Sequence, residues 1–312
     1  MMIRKHLLLL AVCIAALGAA VAVESLQISG EFAFSLQQLY ISASAGGEPI
    51  ADLRRDEFVI VDNGKRQELV TFARGDIPFT AVVLVDASQS MVGEKIVSAQ
   101  RGVKDFADRM RPLDEAKLVI FSDYIRAVSP FTSFPEVLTA GLERVTAVGG
   151  TAINDVLYIA LSRLEKRQGR RVVVLLSDAI DSHSALAMRH VLPSARRSQA
   201  IIYLIRTHTS EEAASAGEPP HASSPWRDSQ SLQAEFRQLI SLVDDSGGRV
   251  IDVGSPAAIE TAFSDVISEL RDHYVLGYYP NNQRGDGRWH KVRVKVSRPD
   301  VDLRTSSGYL DF

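Results

Sequence analysis

Four short runs dominated by apolar residues, Ala81 to Val85, Leu118 to Phe121, Arg171 to Leu176 and Ala200 to Ile205, alternate with stretches of helical periodicity. This alternation constrains the fold more than any other feature of the chain. A strand covered on both faces has no polar side to show, so it reads as a continuous apolar run rather than as alternating residues. Strands of that kind separated by amphipathic helices predict an α/β fold with a doubly wound, mostly parallel sheet and helices on both faces. Ligands of such sheets bind beyond the carboxyl ends of the strands, at the point where the strand order reverses.

The helical stretches support the same layout. Ile96, Ala99, Val103, Phe106 and Met110 fall at steps of three and four, and Pro112 stops the pattern. A helix is expected around Pro135 to Val145. Another opens after Gly149-Gly150-Thr151 and sets Ile153, Val156, Leu157, Ala160, Leu161 and Leu164 on one face, with Gly169 behind it. Further helices are expected from Ser184 to Arg197, from Leu232 to Val243, and after Ser255 with Pro256 at the first position. Ile125 to Val128 reads as a short edge strand, and Arg249 to Val253 as a strand after the Gly247-Gly248 turn. Glu211 to Pro225, rich in Ala, Ser, Gly and Pro without periodicity, reads as a long mobile loop.

Both flanks read as β structure. Phe58 to Val61, the turn Asp62-Asn63-Gly64-Lys65 and Leu69 to Phe72 suggest a hairpin, while His273 to Tyr279, Trp289 to Val296 and Leu303 to Leu310 suggest strands in the tail. The organisation expected is therefore a signal peptide at 1–22, an N-terminal β segment at 23–77, an α/β domain at 78–272 and a C-terminal β segment at 273–312. The two flanks are expected to pair into one small β unit, because the ends of a domain usually lie close together.

Arg4 and Lys5, the apolar stretch Leu7 to Ala20 and the small residues Ala20-Val21-Ala22 have the order of a cleaved export signal. The chain is accordingly expected to be exported, periplasmic or secreted, with no membrane span after cleavage. The alternative is an uncleaved N-terminal segment acting as an anchor. The single cysteine, Cys13, lies inside this segment, so disulfides play no part in the mature chain. The rest, with 46% hydrophobic and 23% charged residues, is ordinary for a globular protein. The net charge of −3 and the lack of a basic run interleaved with aromatics exclude nucleic acid as an expected partner.

Oxygen-bearing side chains gather where the apolar runs end. Asp86, Ser88 and Ser90 follow the first run, Thr151 follows two glycines, and Asp178 follows the run ending at Leu176. If the strand continues, Asp86, Ser88 and Ser90 share one side of it. Two carboxylates with three hydroxyls, and no His or Cys among them, suit a hard cation: Mg²⁺ first, with Mn²⁺ or Ca²⁺ as alternatives. Taken singly, Thr151 reads as a helix N-cap and the two aspartates as polar strand ends. Asp181, Asp123 and Glu94 read as solvated acids, and His183 as part of an exposed polar loop.

The pattern Asp86-x-Ser88-x-Ser90, then Thr151, then Asp178 resembles the metal-ion-dependent adhesion site of von Willebrand factor type A domains, over about residues 78 to 272. Leu53, Phe58-x-Val-x-Asp62-Asn-Gly64, Tyr274-Val-Leu-Gly277-Tyr-Tyr-Pro280 and Asp286-Gly-Arg-Trp289 further resemble an exported bacterial subfamily described as von Willebrand factor A-related and abundant in acidobacteria. The resemblance implies that Ser88 and Ser90 hold the metal directly, that Thr151 does so in the ligand-occupied state, and that Asp86 and Asp178 act directly or through water. One position would be left for an Asp or Glu carboxylate of a protein partner. The sequence departs from the family pattern at Gln89 and Ala179, where the family usually has glycine.

Two other readings compete with an exported adhesion-type interaction module. A metal-dependent hydrolase would also use a strand-end aspartate with Mg²⁺. Against it, no second Asp follows Asp86 two residues on, Ser88 has no evident base, and no phosphate-cradling glycine loop is present, so no catalytic residue is assigned. A structural domain with a degenerate metal site is the third reading.

Overall fold

The computed structural model describes residues 36–75, 77–208, 228–281 and 283–312. The expected signal peptide with Cys13, and the whole of the expected mobile loop from Glu211 to Pro225, lie outside the described residues. Five strands come first: β1 (Gln37–Ala45), β2 (Glu48–Pro49), β3 (Phe58–Asp62), β4 (Lys65–Gln67) and β5 (Thr71–Arg74). The α/β part then runs β6 (Phe79–Asp86), α1 (Glu94–Asp108), β7 (Glu115–Phe121), β8 (Ile125–Val128), α2 (Pro135–Leu138), α3 (Ile153–Leu164), β9 (Arg170–Ser177), α4 (Met188–Ser198), β10 (Ile201–Thr207), α5 (Ser229–Asp245), β11 (Val250–Val253) and α6 (Pro256–Asp272). Four strands close the chain: β12 (Tyr274–Tyr278), β13 (Trp289–Val296), β14 (Asp302–Arg304) and β15 (Gly308–Leu310).

The central sheet has the order β11-β10-β9-β6-β7-β8, and only its edge pair β7–β8 is antiparallel. Its two faces feed separate cores. Ala81, Val83 and Val85 of β6 pack with α1 and α6, whereas Val82 and Leu84 pack with α3, α4 and α5. This is why the strand shows no polar alternation: both faces are buried, and each large aliphatic side chain withdrawn from water contributes about 1.5–3 kcal/mol. The chain moves from β6 to β7 on one side and returns to β9 on the other. The order therefore reverses between β6 and β9, which places the carboxyl ends of those two strands, at Asp86 and Ser177, on either side of a crevice.

The flanks form two small antiparallel sheets. One has the order β14-β1-β12-β5 with β2 on β1, the other β15-β13-β3-β4, and each mixes strands from both ends of the chain. Leu39, Ile41, Phe58, Ile60, Tyr274, Leu276, Tyr278, Val292 and Tyr309 fill the core they share.

Four local expectations are corrected. The turn at Asn63 and Gly64, with φ of 46° and 82°, sends the chain straight back into Lys65–Gln67. Leu69 to Phe72 is thus not the returning strand, and Thr71–Arg74 pairs with β12 instead. The single last strand expected over Leu303 to Leu310 is two strands in different sheets, because β14 joins β1 and β15 joins β13. The helix expected over Pro135 to Val145 is two short turns, broken where Gly141 takes φ +78°. The helix expected from Ser184 begins at Met188, because the residues before it cap a different helix.

Candidate metal centre

Asp86 ends β6 and is fully buried. Its Oδ1 accepts the Ser88 backbone N–H at 2.8 Å, and its Oδ2 accepts the Ser177 hydroxyl at 2.6 Å. The first bond turns the chain, and a 3₁₀ turn over Gln89–Met91 follows. Ser88, itself buried, and the exposed Ser90 therefore meet through this turn, with their hydroxyls 3.1 Å apart, and not through strand alternation as the sequence suggested. An Asx-type bond from a strand-end aspartate is a local option that competes with extension of the strand, and here it wins.

Ser177 links the two carboxylates. Its Oγ donates to Asp86 and lies 3.5 Å from Asp178 Oδ1, while Asp178 Oδ1 also accepts the Ile180 N–H at 3.0 Å. Sequence reasoning passed over Ser177, although a serine immediately before the strand-end aspartate was the available signal. Burial, and then the charge of Asp178, push the Asp86 carboxyl up to about 7, against the opposing pull of hydrogen bonds from Ser177 and Ser88. A buried acid held up by a second acid is an electrostatic setting that a cation relieves.

The backbone on either side of Thr151 is stitched to the turns after β6 and β9. Val148 N–H donates to Ala87 O at 2.8 Å, Gln89 N–H to Gly149 O at 2.9 Å, and Ala152 N–H to Ser122 O at 2.8 Å. From the other side, Ser182 and His183 N–H both donate to Thr151 O at 2.9 Å, and Thr151 N–H donates to Ser182 Oγ. The loop thus runs from the turn after β6 to the turn after β9. The N-cap reading of Thr151 fails. Helix α3 has Ala152 at its N-cap with no side-chain cap of its own, and its first N–H groups go to Asp181 Oδ2 (from Asn154, 2.7 Å) and Ser184 Oγ (from Asp155, 3.2 Å).

Three neighbouring residues differ from their sequence reading. Asp181 is buried and accepts Asn154 N–H, Ser184 N–H and the Ser184 hydroxyl, so it is a structural cap rather than a solvated acid. His183 is half-buried against the loop: its Nδ1 lies 2.8 Å from Ser182 Oγ, and a Cβ at Gly150 would overlap its ring. Asp123 is exposed but sits at the rim, where a Cβ on Gly149 would come within 2.6 Å of its Oδ1. Glu94 is exposed at the start of α1.

The two departures from the family pattern separate cleanly. Gln89 is exposed and has an ordinary backbone, so no glycine is needed there. Ala179 has φ +66°, a conformation that suits glycine and strains an L side chain. Among the described residues no group of three or more His, Cys, Asp or Glu side chains is placed to hold a metal. A metal here would have to rely on hydroxyl oxygens beside Asp86 and Asp178, an all-oxygen donor set that would suit a hard cation such as Mg²⁺ better than a soft one.

Residues 81–180 match the family model of the von Willebrand factor type A domain, a span that contains Asp86, Ser88, Ser90, Thr151 and Asp178. The match covers about a third of the chain, all of it in the α/β part, and both β flanks, on which the narrower subfamily likeness rested, lie beyond it. No curated protein sequence matches the chain. Solved structures similar to it include a von Willebrand factor type A protein from Catenulispora acidiphila, at 11% identity over 89% of this chain and 72% of that one with a TM-score of 0.47. The vWF domain of the type V pili tip protein Mfa5 from Porphyromonas gingivalis is similar at 13% identity over 62% of this chain and 95% of that one, TM-score 0.44. An aerotolerance-related membrane protein from Bacteroides fragilis is similar at 18% identity over 62% of this chain and 100% of that one, TM-score 0.42.

Proposed function

We propose that the chain is an exported protein-interaction module of the adhesion type, in which Asp86, Ser88, Ser90, Thr151 and Asp178 hold a divalent cation, Mg²⁺ in the first place, that takes an Asp or Glu carboxylate from a protein partner. The observation that carries this reading is the arrangement at the reversal point of the sheet. Three separated segments are stitched together there, with a buried aspartate held up by a second one and a threonine relieved of any capping role. A bound metal would supply the positive charge that a partner's carboxylate recognises, since hydroxyl ligands leave much of a divalent charge unneutralised. Export rests on the N-terminal pattern at 1–22. Among the described residues no helix is long and apolar enough to cross a membrane.

Mg²⁺ titration followed by calorimetry and thermal unfolding tests the reading. Binding to the folded state alone stabilises by about 2.7 kcal/mol at one hundred times the dissociation constant. The wild type is expected to show that rise and Ser88→Ala/Ser90→Ala to lose most of it; a wild type indifferent to Mg²⁺, Mn²⁺ and Ca²⁺ alike would leave the structural reading in its place. Assays on generic phosphate and carboxylic esters address the hydrolase reading, which requires turnover that disappears in Asp86→Ala.

A further inference from the structure

The surface beside the candidate site is apolar in a way the metal reading does not use. Val92, Tyr124 and Val148 are large hydrophobic side chains left 52%, 59% and 46% exposed. The hydrogen bonds that build the site also bring their segments together. Val92 N–H donates to Gln89 O, Gln89 N–H to Gly149 O next to Val148, and Ser122 N–H to Tyr124 O, while Asp123 lies against Gly149. All three thus border the turn that carries Ser88 and Ser90. A soluble surface gains nothing by exposing apolar groups around a polar centre, and exposed apolar side chains grouped on neighbouring segments mark interaction sites.

We infer that the partner segment recognised here carries its acidic residue within two positions of an aliphatic or aromatic side chain, which packs on Val92, Tyr124 and Val148 while the carboxylate goes to the metal. The inference rests on the function proposed above and adds the chemistry of the partner to it. Continuity of the patch with the exposed Ser90 fixes the pairing, since a carboxylate at the metal brings the flanking residues of its own chain onto this border. A free carboxylate, a sugar acid or a segment with only polar neighbours would leave the apolar border wet. That is why a protein segment, rather than a small anion, is the occupant.

Selection of phage-displayed random heptapeptides on the immobilised protein in Mg²⁺, with elution by chelator, tests the inference. Wild type is expected to enrich Asp or Glu with an aliphatic or aromatic residue within two positions. Tyr124→Ser/Val148→Ser is expected to keep the acid and the chelator dependence, lose the apolar neighbour, and bind the wild-type winners about tenfold more weakly. Tyr124→Phe should restore the preference, and unchanged melting temperatures would show that the variants fold. Enriched acids without apolar neighbours, or a preference unchanged in the double variant, overturn the inference and leave the metal reading standing. Absence of any chelator-eluted peptide from the wild type overturns the proposed function, and the inference with it.

Discussion

At pH 8 the buried Asp86 carboxyl bears a charge where water does not reach it, and Asp178 adds a second nearby. Because the folded value, about 7, lies above the ordinary 3.8, the folded state holds the proton more tightly than the unfolded one. Without metal the group therefore costs nothing below about pH 4, and its penalty builds as the pH rises from about 4 to about 7 and is complete above that. Asp86→Asn keeps the shape and, through its amide oxygen, the bond from the Ser88 N–H, while its Nδ2 donates to Ser177 Oγ where Oδ2 had accepted, so in chelator the variant should be more stable than wild type by about 1–2 kcal/mol at pH 8, with no gain at pH 4. The same variant should lose the thermal response to Mg²⁺, which in wild type should be larger at pH 8 than at pH 5. Urea unfolding at each pH, with and without metal, reads both effects. Ala179 offers an independent test. Its left-handed backbone costs about 1–2 kcal/mol, and glycine gives back about 0.5–1 kcal/mol through its floppier unfolded chain. Ala179→Gly should thus raise stability by about 0.5–1 kcal/mol, and a lower urea midpoint would rule out strain at this position.

The elements around the site are joined by side chains that leave their own element. Helix α3 is capped from the turn after β9 by Asp181 and Ser184, and Asp155 in its first turn returns the favour by accepting the Ala185 and Leu186 N–H groups at 2.9 and 2.8 Å. This exchange delays α4 until Met188 and holds Ser182 and His183 against Thr151. Asp181→Ala leaves the Asn154 and Ser184 N–H groups without their acceptor, which should cost about 2 kcal/mol. If the stitching positions Thr151, the variant should also bind Mg²⁺ more weakly than its stability loss alone requires; calorimetry on the still-folded protein at 15 °C separates the two. Periodicity placed α1, α3, α5 and α6 because each presents one apolar stripe to a core. The Pro135 to Val145 stretch has comparable residues but stops at Gly141, whose φ of +78° ends the turn locally.

Across the whole molecule, the two flanks fold together over one buried polar centre. Asp62 at the end of β3 accepts the hydroxyls of Tyr278 and Tyr309 at 3.0 and 2.9 Å and stands 2.9 Å from His290 Nδ1, so four strands, β3, β12, β13 and β15, meet at one carboxylate. Burial raises both tyrosines further above their ordinary range, which keeps them protonated as donors. Asp62→Ala strands these groups in the core of the flanking sheets and should cost about 3 kcal/mol in urea unfolding. A cost under about 1 kcal/mol would mean that the flanks are held by apolar packing alone.

The sequence by itself determined the doubly wound sheet, since uninterrupted apolar strands and striped helices are consequences of two-sided and one-sided burial that each segment carries locally. It also singled out five candidate oxygen ligands, four of them where apolar runs give out and Thr151 after a glycine pair at the start of a helix. Only the tertiary structure decided how the segments that carry them are joined: through an aspartate-led turn, the hydroxyl of Ser177 and a loop stitched to two neighbours. It alone decided that Asp181 caps a helix, that Ala179 is strained, and that strands from both ends of the chain interleave in two sheets. The capping of α3, the stitching of the loop and the interleaving of the strands depend on hydrogen bonds between residues tens to hundreds of positions apart, and no local pattern of residue types encodes which distant partner a backbone group will find.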